Sequence, residues 1–355
     1  MKFPINRHLG FMILVCTIAL TTLGGCNRGP QDPISRSSLE WLGTTSTITL
    51  YDSQNQNIIT KAFQRVEEIH KRMSLQLPTS ELSHINRNAG IGPVRVSSDT
   101  FFVVEEALRI ARETGGAFDP TVGPLVDLWD ITGNAYLPTQ EEIQEVLPLI
   151  DYRVVVIDRE NLSVFLPIPG MKLDLGGIAK GYAADEAARI LIENGVRKAI
   201  IDFGGDIIAL GTRVTGEPWR IGIQNPFTQR GSFTGIYYAE DKTIVTSGTY
   251  ERYLMHEGVR YHHLFDTTTG FPGQNGVESV TIMASGSSSL ADAYSTAAFI
   301  MGLEAGLSYV ESIPGVEALF IMDDLSLHAT SGILKGGQEI FRLIDQNFHF
   351  APAKD

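Results

Sequence analysis

Lys172-Leu173-Asp174-Leu175-Gly176-Gly177-Ile178-Ala179-Lys180-Gly181-Tyr182-Ala183-Ala184-Asp185-Glu186-Ala187 is the stretch around which the chain is organised. It predicts a strand end over 171–175, a glycine turn, and a helix that runs to Glu193 before Asn194-Gly195 stops it. Gly176 and Gly177 give the backbone access to positive φ and to a close ligand, and a helix N-terminus offers unpaired N–H groups and a positive dipole end. A glycine pair by itself also marks an ordinary tight strand-to-helix turn. Asp174 just before the turn and Lys180 in the first helical turn add the reading of a polar ligand carrying both donors and anionic groups. The spacing is neither G-x-G-x-x-G nor G-x-x-x-x-G-K-[ST], so the dinucleotide-fold and P-loop fingerprints do not apply.

Around this stretch lie 355 residues, 43% of them hydrophobic, enough for one large domain or two intimate ones. The N-terminus has the layout of an export signal: Lys2 and Arg7, an apolar run over 9–23 too short for a comfortable membrane span, then Leu23-Gly24-Gly25-Cys26. That tetrapeptide resembles a bacterial lipobox, which makes residues 1–25 a signal peptide, Cys26 a lipidated N-terminus and 26–38 a polar tether before a domain over 39–347. A plain secretory signal or a short anchor is the alternative. Cys16 leaves with the signal, so no second cysteine remains to pair with Cys26. Loss of residues 1–25 removes Lys2 and Arg7 and no acid, taking the net charge from −13 to −15. An acidic body without a basic run argues against a nucleic-acid partner.

The remaining pattern alternates strands with helices. A first strand over 47–51 precedes an amphipathic helix over 58–73, on which His70 reads as a surface residue. Thr79/Ser80 cap a short helix, Ser98 caps one over 100–114, and Thr139-Gln140-Glu141-Glu142 forms a capping box. Ala117-Phe118-Asp119-Pro120-Thr121-Val122-Gly123-Pro124 suits a fixed loop, with Asp119 in an Asx turn or at a ligand. A hairpin is expected over 153–157 and 162–166, a buried strand over 199–203, further strands over 219–223, 235–239, 243–245 and 277–283, and a closing hairpin around Asp323-Asp324. Adjacent His262 and His263 point to opposite faces of a strand, a poor arrangement for one zinc ion. Asp292 and Thr296 are four apart on one helix face; they read either as hard oxygen ligands for Mg²⁺ or as a hydroxyl bonding its own backbone beside a cap-region acid. Strands with interspersed helices, many in hairpins, give an α+β class: one large domain of mixed, largely antiparallel sheet with flanking helices.

Leu173-Asp174-Leu175-Gly176-Gly177-Ile178-Ala179-Lys180-Gly181-Tyr182 resembles the signature of the ApbE-type FAD:protein FMN transferases. So do Gly116-Ala117-Phe118-Asp119, Gly204-Gly205-Asp206, Thr246-Ser247-Gly248, His263-Leu264-Phe265-Asp266 and Ala291-Asp292 with Thr296-Ala297, in the family's order over residues 40–345. The resemblance implies FAD as substrate, Mg²⁺ as cofactor, transfer of the FMN moiety to a Thr or Ser hydroxyl of a partner protein, and release of AMP. It implies acceptor subunits of exported respiratory electron-transfer complexes and a lipid-anchored enzyme on the periplasmic side of a bacterial membrane. Asp292, Thr296 and the carbonyl of Gly177 match metal ligands; Asp174, Lys180, Ala117, Phe118 and Asp119 match FAD-contacting positions, joined by Leu42 and Leu264. Gln76 falls where many members carry an aromatic residue, and some relatives with a polar group there hydrolyse FAD to FMN and AMP. His263 and Asp266 are the candidates for a general base, since a hydroxyl nucleophile benefits from one.

Overall fold

The computed structural model describes residues 32–41 and 43–351, which form one unit from Asp32 onward. Residues 1–25, expected as a signal peptide, together with Cys26 and Leu42, lie outside the described residues. The strands are β1 Ile34–Trp41, β2 Thr44–Leu50, β3 Val94–Arg95, β4 Val156–Asp158, β5 Ser163–Phe165, β6 Ala199–Phe203, β7 Asp206–Leu210, β8 Trp219–Gln224, β9 Phe233–Ala239, β10 Lys242–Gly248, β11 Tyr253–His256, β12 Val259–His262, β13 Val277–Ala284, β14 Val316–Met322, β15 Ser326–Ala329, β16 Phe341–Leu343 and β17 His349–Phe350. The α-helices are α1 Gln56–Met73, α2 Glu81–Arg87, α3 Ser98–Glu113, α4 Gly123–Trp129, α5 Gln140–Val146, α6 Ala179–Glu193, α7 Ser288–Glu311 and α8 Ser331–Gly336.

A nine-stranded sheet in the order β1-β2-β6-β7-β10-β13-β14-β15-β17 is antiparallel throughout except for the β15–β17 pair, which makes it mixed and largely antiparallel, as expected. Its central strands read as unbroken apolar runs because both faces are covered. In β14, Ala318, Phe320 and Met322 enter the core under the helices, while Leu319 and Ile321 enter a second core under the small β16-β9-β8 sheet. A third cluster of Leu125, Trp129, Ile143 and Phe265 ties α4 and α5 to the turn after β12. Trp129 Nε1 donates to the Gly270 carbonyl at 3.0 Å, which anchors that turn.

Helices α6 and α7 position the site. They cross where Gly181 has no side chain: a Cβ there would sit 2.2 Å from the carbonyl oxygen of Ser288. Asp185, one turn further along α6, accepts from the Ser288 and Ser289 backbone N–H groups at 2.7 and 3.0 Å and so caps the N-terminus of α7 from a neighbouring helix. Helix α7 breaks at Gly302, whose φ of 76° and ψ of −177° leave the helical region. Asn275 Nδ2 takes up the Phe299 carbonyl at 2.7 Å near that break.

Several boundaries differ from expectation. The tether ends sooner, because 34–38 already belong to β1, which pairs antiparallel with β2; Ser35 and Ser37 bond Thr49 and Thr47 across the pair. Ser97, not Ser98, caps α3. The first arm of the 153–157 hairpin begins as a 3₁₀ turn over Tyr152–Val154. Residues 171–175 are not a strand: one parallel bridge, Val122 to Lys172, forms there, and the run is otherwise held by Asn86, which bonds Leu173 N–H and carbonyl at 2.8 and 2.9 Å, and by Asp174 N–H on the Pro120 carbonyl at 2.8 Å.

Gly181→Ala is expected to lower stability by about 1–3 kcal/mol, since the clash is with backbone rather than with a flexible side chain end. Urea unfolding monitored by tryptophan fluorescence checks this; an unchanged midpoint would show that the crossing has slack.

Candidate functional site

The segment 172–180 runs along the floor of a cleft of about 1070 Å³, far larger than a single small-molecule fragment needs. Of the predicted site residues, Gln76, Ala117, Phe118, Asp119, Asp174, Gly177, Lys180, His263, Leu264, Asp292 and Thr296 all line it. Asp266 does not: its Oδ1 accepts from the Thr268 backbone N–H at 2.9 Å and the Thr268 hydroxyl at 2.6 Å, closing an Asx turn. The same device shapes two acids that do reach the cleft. Asp119 Oδ1 accepts from Thr121 N–H and hydroxyl at 2.8 and 2.7 Å, and Asp174 Oδ1 from Gly176 N–H at 2.6 Å. Burial holds both carboxyls above the usual carboxylate range.

The glycine turn works by space rather than by torsion. Gly176 and Gly177 do not adopt positive φ, contrary to the reading of the turn. A Cβ on Gly177 would come within 3.2 Å of both the Thr296 hydroxyl and the Phe118 ring, and one on Gly176 within 2.9 Å of Asp174 Oδ1. The backbone of Gly177 therefore passes directly beside Thr296, and these groups, 119 positions apart in the chain, meet.

At the floor's centre the Lys180 ammonium lies 2.7 Å from Asp206 Oδ2 and 3.0 Å from both Asp292 oxygens. Asp292 also accepts from Gly181 N–H at 3.3 Å. Asp206 and Asp292 are 3% exposed, so neither charge is stable there without a cation. Burial drives the Asp292 carboxyl up, opposed by the ammonium and reinforced by Asp206; the two carboxylates hold Lys180 protonated against its own desolvation. Sequence reasoning missed Asp206 as a site residue although its Gly204-Gly205 hairpin was visible. The signal was the turn itself: Gly204 and Gly205 take φ of 71° and 100°, which folds β7 back so that its first residue meets α6. It also missed Ser247 on β10, whose hydroxyl sits 2.7 Å from Ser295 and 3.4 Å from Thr296.

The two histidines separate as expected. Burial pushes His262 down to about 4, and it bonds the backbone on both sides, through Nε2 to the Gly273 carbonyl at 2.9 Å and Nδ1 to Leu264 N–H at 3.2 Å. His263 stands in the cleft wall, where burial and then Arg252 push it down to about 3. Its Nδ1 lies 3.2 Å from the Arg252 carbonyl, which can only accept, so Nδ1 carries the proton and Nε2 is the basic atom. His70, read as a surface residue, is half-buried on α1.

Lys180→Met is expected to cost about 3 kcal/mol at neutral pH, because it leaves Asp206 and Asp292 buried without their cation. Without the ammonium that opposes its burial, the Asp292 carboxyl binds its proton more tightly folded than unfolded. The variant should therefore regain stability as pH falls from 7 toward about 4, the ordinary carboxyl value. Urea midpoints across that range check both signs; a variant that weakens further on acidification would contradict the pairing.

A family model described as the ApbE family matches residues 42–320. The chain is 34% identical, over 95% of its own length and 96% of the relative's, to a FAD:protein FMN transferase of Treponema pallidum (strain Nichols). It is 35% identical over 84% of its length and 90% of the relative's to one of Vibrio cholerae. Its fold superposes with TM-score 0.77 on the crystal structure of an ApbE protein from Thermotoga maritima, at 34% identity with 85% of this chain and 98% of that one covered. The flavin transferase ApbE from Vibrio cholerae gives the same TM-score at 33% identity, with 86% and 99% covered. With its signature blocks brought together around one cleft, the chain belongs to the ApbE family.

Proposed function

We propose that the protein is a FAD:protein FMN transferase that moves the FMN moiety of FAD to a Thr or Ser hydroxyl of a target protein and releases AMP. The observation that carries the reading is the meeting of Gly177, Lys180, Asp206, Asp292 and Thr296 at the floor of a cleft wide enough for a dinucleotide. The names of its relatives support it. In the reaction the acceptor oxygen bonds to the FMN-side phosphorus, the bond from that phosphorus to the bridging oxygen breaks, and AMP departs with that oxygen.

The donor set at the floor fits Mg²⁺. Asp292, Thr296 and the Gly177 carbonyl would hold it, and one carboxylate with two neutral oxygens is the hard, sparse ligation that ion accepts. Among the described residues no three His, Cys, Asp or Glu side chains gather to hold a metal, which argues against a softer or more crowded site. When bound, the ion would neutralise diphosphate charge. The chain's own groups do the rest. Lys180 keeps a fixed positive charge at the cleft floor, Phe118 and Leu264 supply apolar wall that excludes water, and His263, held neutral by its burial, presents Nε2 as the hydrogen-bond acceptor for the entering hydroxyl. Asp266, committed to its turn, leaves that role to His263. Asp119, Asp174 and Ala117 shape the substrate's berth.

Exported respiratory electron-transfer subunits are the proposed acceptors, and lipidation of Cys26 the proposed anchor on the periplasmic side of a bacterial membrane. Leu23-Gly24-Gly25-Cys26 supports the anchor. A second reading, Mg²⁺-dependent hydrolysis of FAD to FMN and AMP, is favoured by one observation: Gln76 is polar and exposed on the cleft lip, where it cannot cover a flavin as an aromatic ring would.

Incubation with FAD and Mg²⁺, with and without a flavin-free acceptor domain, separates the two. Acceptor gaining the mass of FMN supports transfer, AMP formed equally without acceptor supports hydrolysis, and unchanged FAD overturns both. Asp292→Ala is expected to cut turnover by about a hundredfold or more with the fold retained. Gly177→Ala should cost roughly tenfold through the crowding of Thr296 and Phe118. Parent-like rates in both variants, with circular dichroism unchanged, would refute the ion's placement.

A further inference from the structure

Beside the main cleft, a second groove of about 400 Å³ lies between the β11–β12 hairpin and the loop after β8, with Phe227, Arg230, Glu251, Tyr253 and Arg260 in its walls. It is continuous with the cleft, because Glu251 and Tyr253 line both. The hairpin is also bracketed by the cleft in sequence: Arg252 and Tyr253 at its start and His263 and Leu264 just past its end are cleft residues. Anything held by the hairpin is thus held next to His263.

The hairpin is built as a projecting arm. Its turn residues Glu257 and Gly258 take φ of 48° and 81°, the paired positive values of a tight two-residue turn that sets strand register. Among the described residues no backbone bond joins residues 253–262 to another element, so the arm's outer edges are open to an incoming chain. Apolar groups are displayed here: Met255 is 52% exposed and Phe227 42%. Tyr253 and Met255 share one face of β11 with their partners His262 and Arg260, and the Arg260 guanidinium stacks 5.0 Å over the Tyr253 ring. Arg230, its side chain 69% exposed, makes a long contact of 3.5 Å to Glu251. Arg260 is paired with Glu278 at 3.3 Å, so Arg230 is the more open cation of this aromatic strip.

We propose that the groove and hairpin dock an extended segment of the acceptor protein, with an apolar side chain against Met255 and Phe227 and a carboxylate against Arg230, so that the acceptor hydroxyl enters the cleft past Tyr253 toward His263. This rests on the transferase reading and adds where the protein substrate sits. An open groove that continues into the cleft, with aromatic walls and the exposed Arg230 beside unpaired strand edges, suits a peptide in extended form. The dinucleotide is left the enclosed floor.

Met255→Glu and Arg230→Glu test it, since neither residue lines the main cleft. The probe is a flavin-free domain of an exported electron-transfer subunit, with FMN incorporation followed by intact mass. Each variant is expected to raise the KM for the acceptor about tenfold, with kcat at saturating acceptor and FAD affinity within about twofold of the parent. Acceptor KM unchanged in both variants overturns the docking site while leaving the transferase reading intact. A dimer in light scattering that Met255→Glu dissociates, with acceptor KM unchanged, also overturns it and assigns the hairpin to a second copy of this chain. Failure of the parent protein to label the acceptor while it converts FAD removes the transferase reading, and the docking site with it.

Discussion

The structure depends on one ammonium held between two buried acids. Lys180 lies within hydrogen-bond distance of Asp206 and Asp292, which reach it from β7 and α7 while it stands on α6. Each of the three groups is too costly to bury alone, and together they still carry an excess negative charge. Such an arrangement gains little stability over an apolar core of the same shape. It makes sense where a further cation and a polyanionic substrate complete it, which is why the charge balance, rather than the cleft's size alone, points to phosphoryl chemistry.

Holding three elements at one point takes rigid supports, and they are local. Asp185 caps α7 from α6, Gly181 lets the two helices touch, and the Gly204-Gly205 turn returns β7 to the same place. Behind them the sheet is covered on both faces, so β10 and β13 cannot shift without disturbing two cores at once. The precision of the site is therefore a property of packing: its charged centre, Lys180, Asp206 and Asp292, sits on regular elements, while Asp119, Asp174, Gly177 and His263 stand in the turns between them.

Much of this was legible in the sequence because the periodic signals are strong. The helices that carry the site and the capping box at Thr139 follow directly from pattern. What was hidden follows from physics that sequence cannot display. β1 reads as a polar linker because an edge strand facing solvent needs no apolar alternation, only partners such as Thr47 and Thr49 for its serines. Residues 171–175 read as a strand because Met171, Leu173 and Leu175 alternate with Lys172 and Asp174, yet among the described residues one bridge forms there and Asn86 takes the Leu173 backbone groups instead. Gly176 and Gly177 carry a glycine signature whose cause, the nearness of Thr296, Phe118 and Asp174, is tertiary.

The pair of base candidates shows how local chemistry decides between residues of equal standing in the sequence. Asp266 and His263 lie three positions apart, and both suit the role by type. Asp266 is followed two residues later by Thr268, whose N–H and hydroxyl capture its Oδ1, and the turn they form is pinned by Trp129 through Gly270. His263 instead spends Nδ1 on a backbone carbonyl, which fixes the ring's tautomer and leaves the opposite nitrogen unprotonated. Arg252, whose carbonyl does this, stands just before the β11–β12 hairpin, and His263 just after it. The orientation of that nitrogen is thus tied to the same arm that borders the cleft mouth, the arm on which the proposed docking site lies.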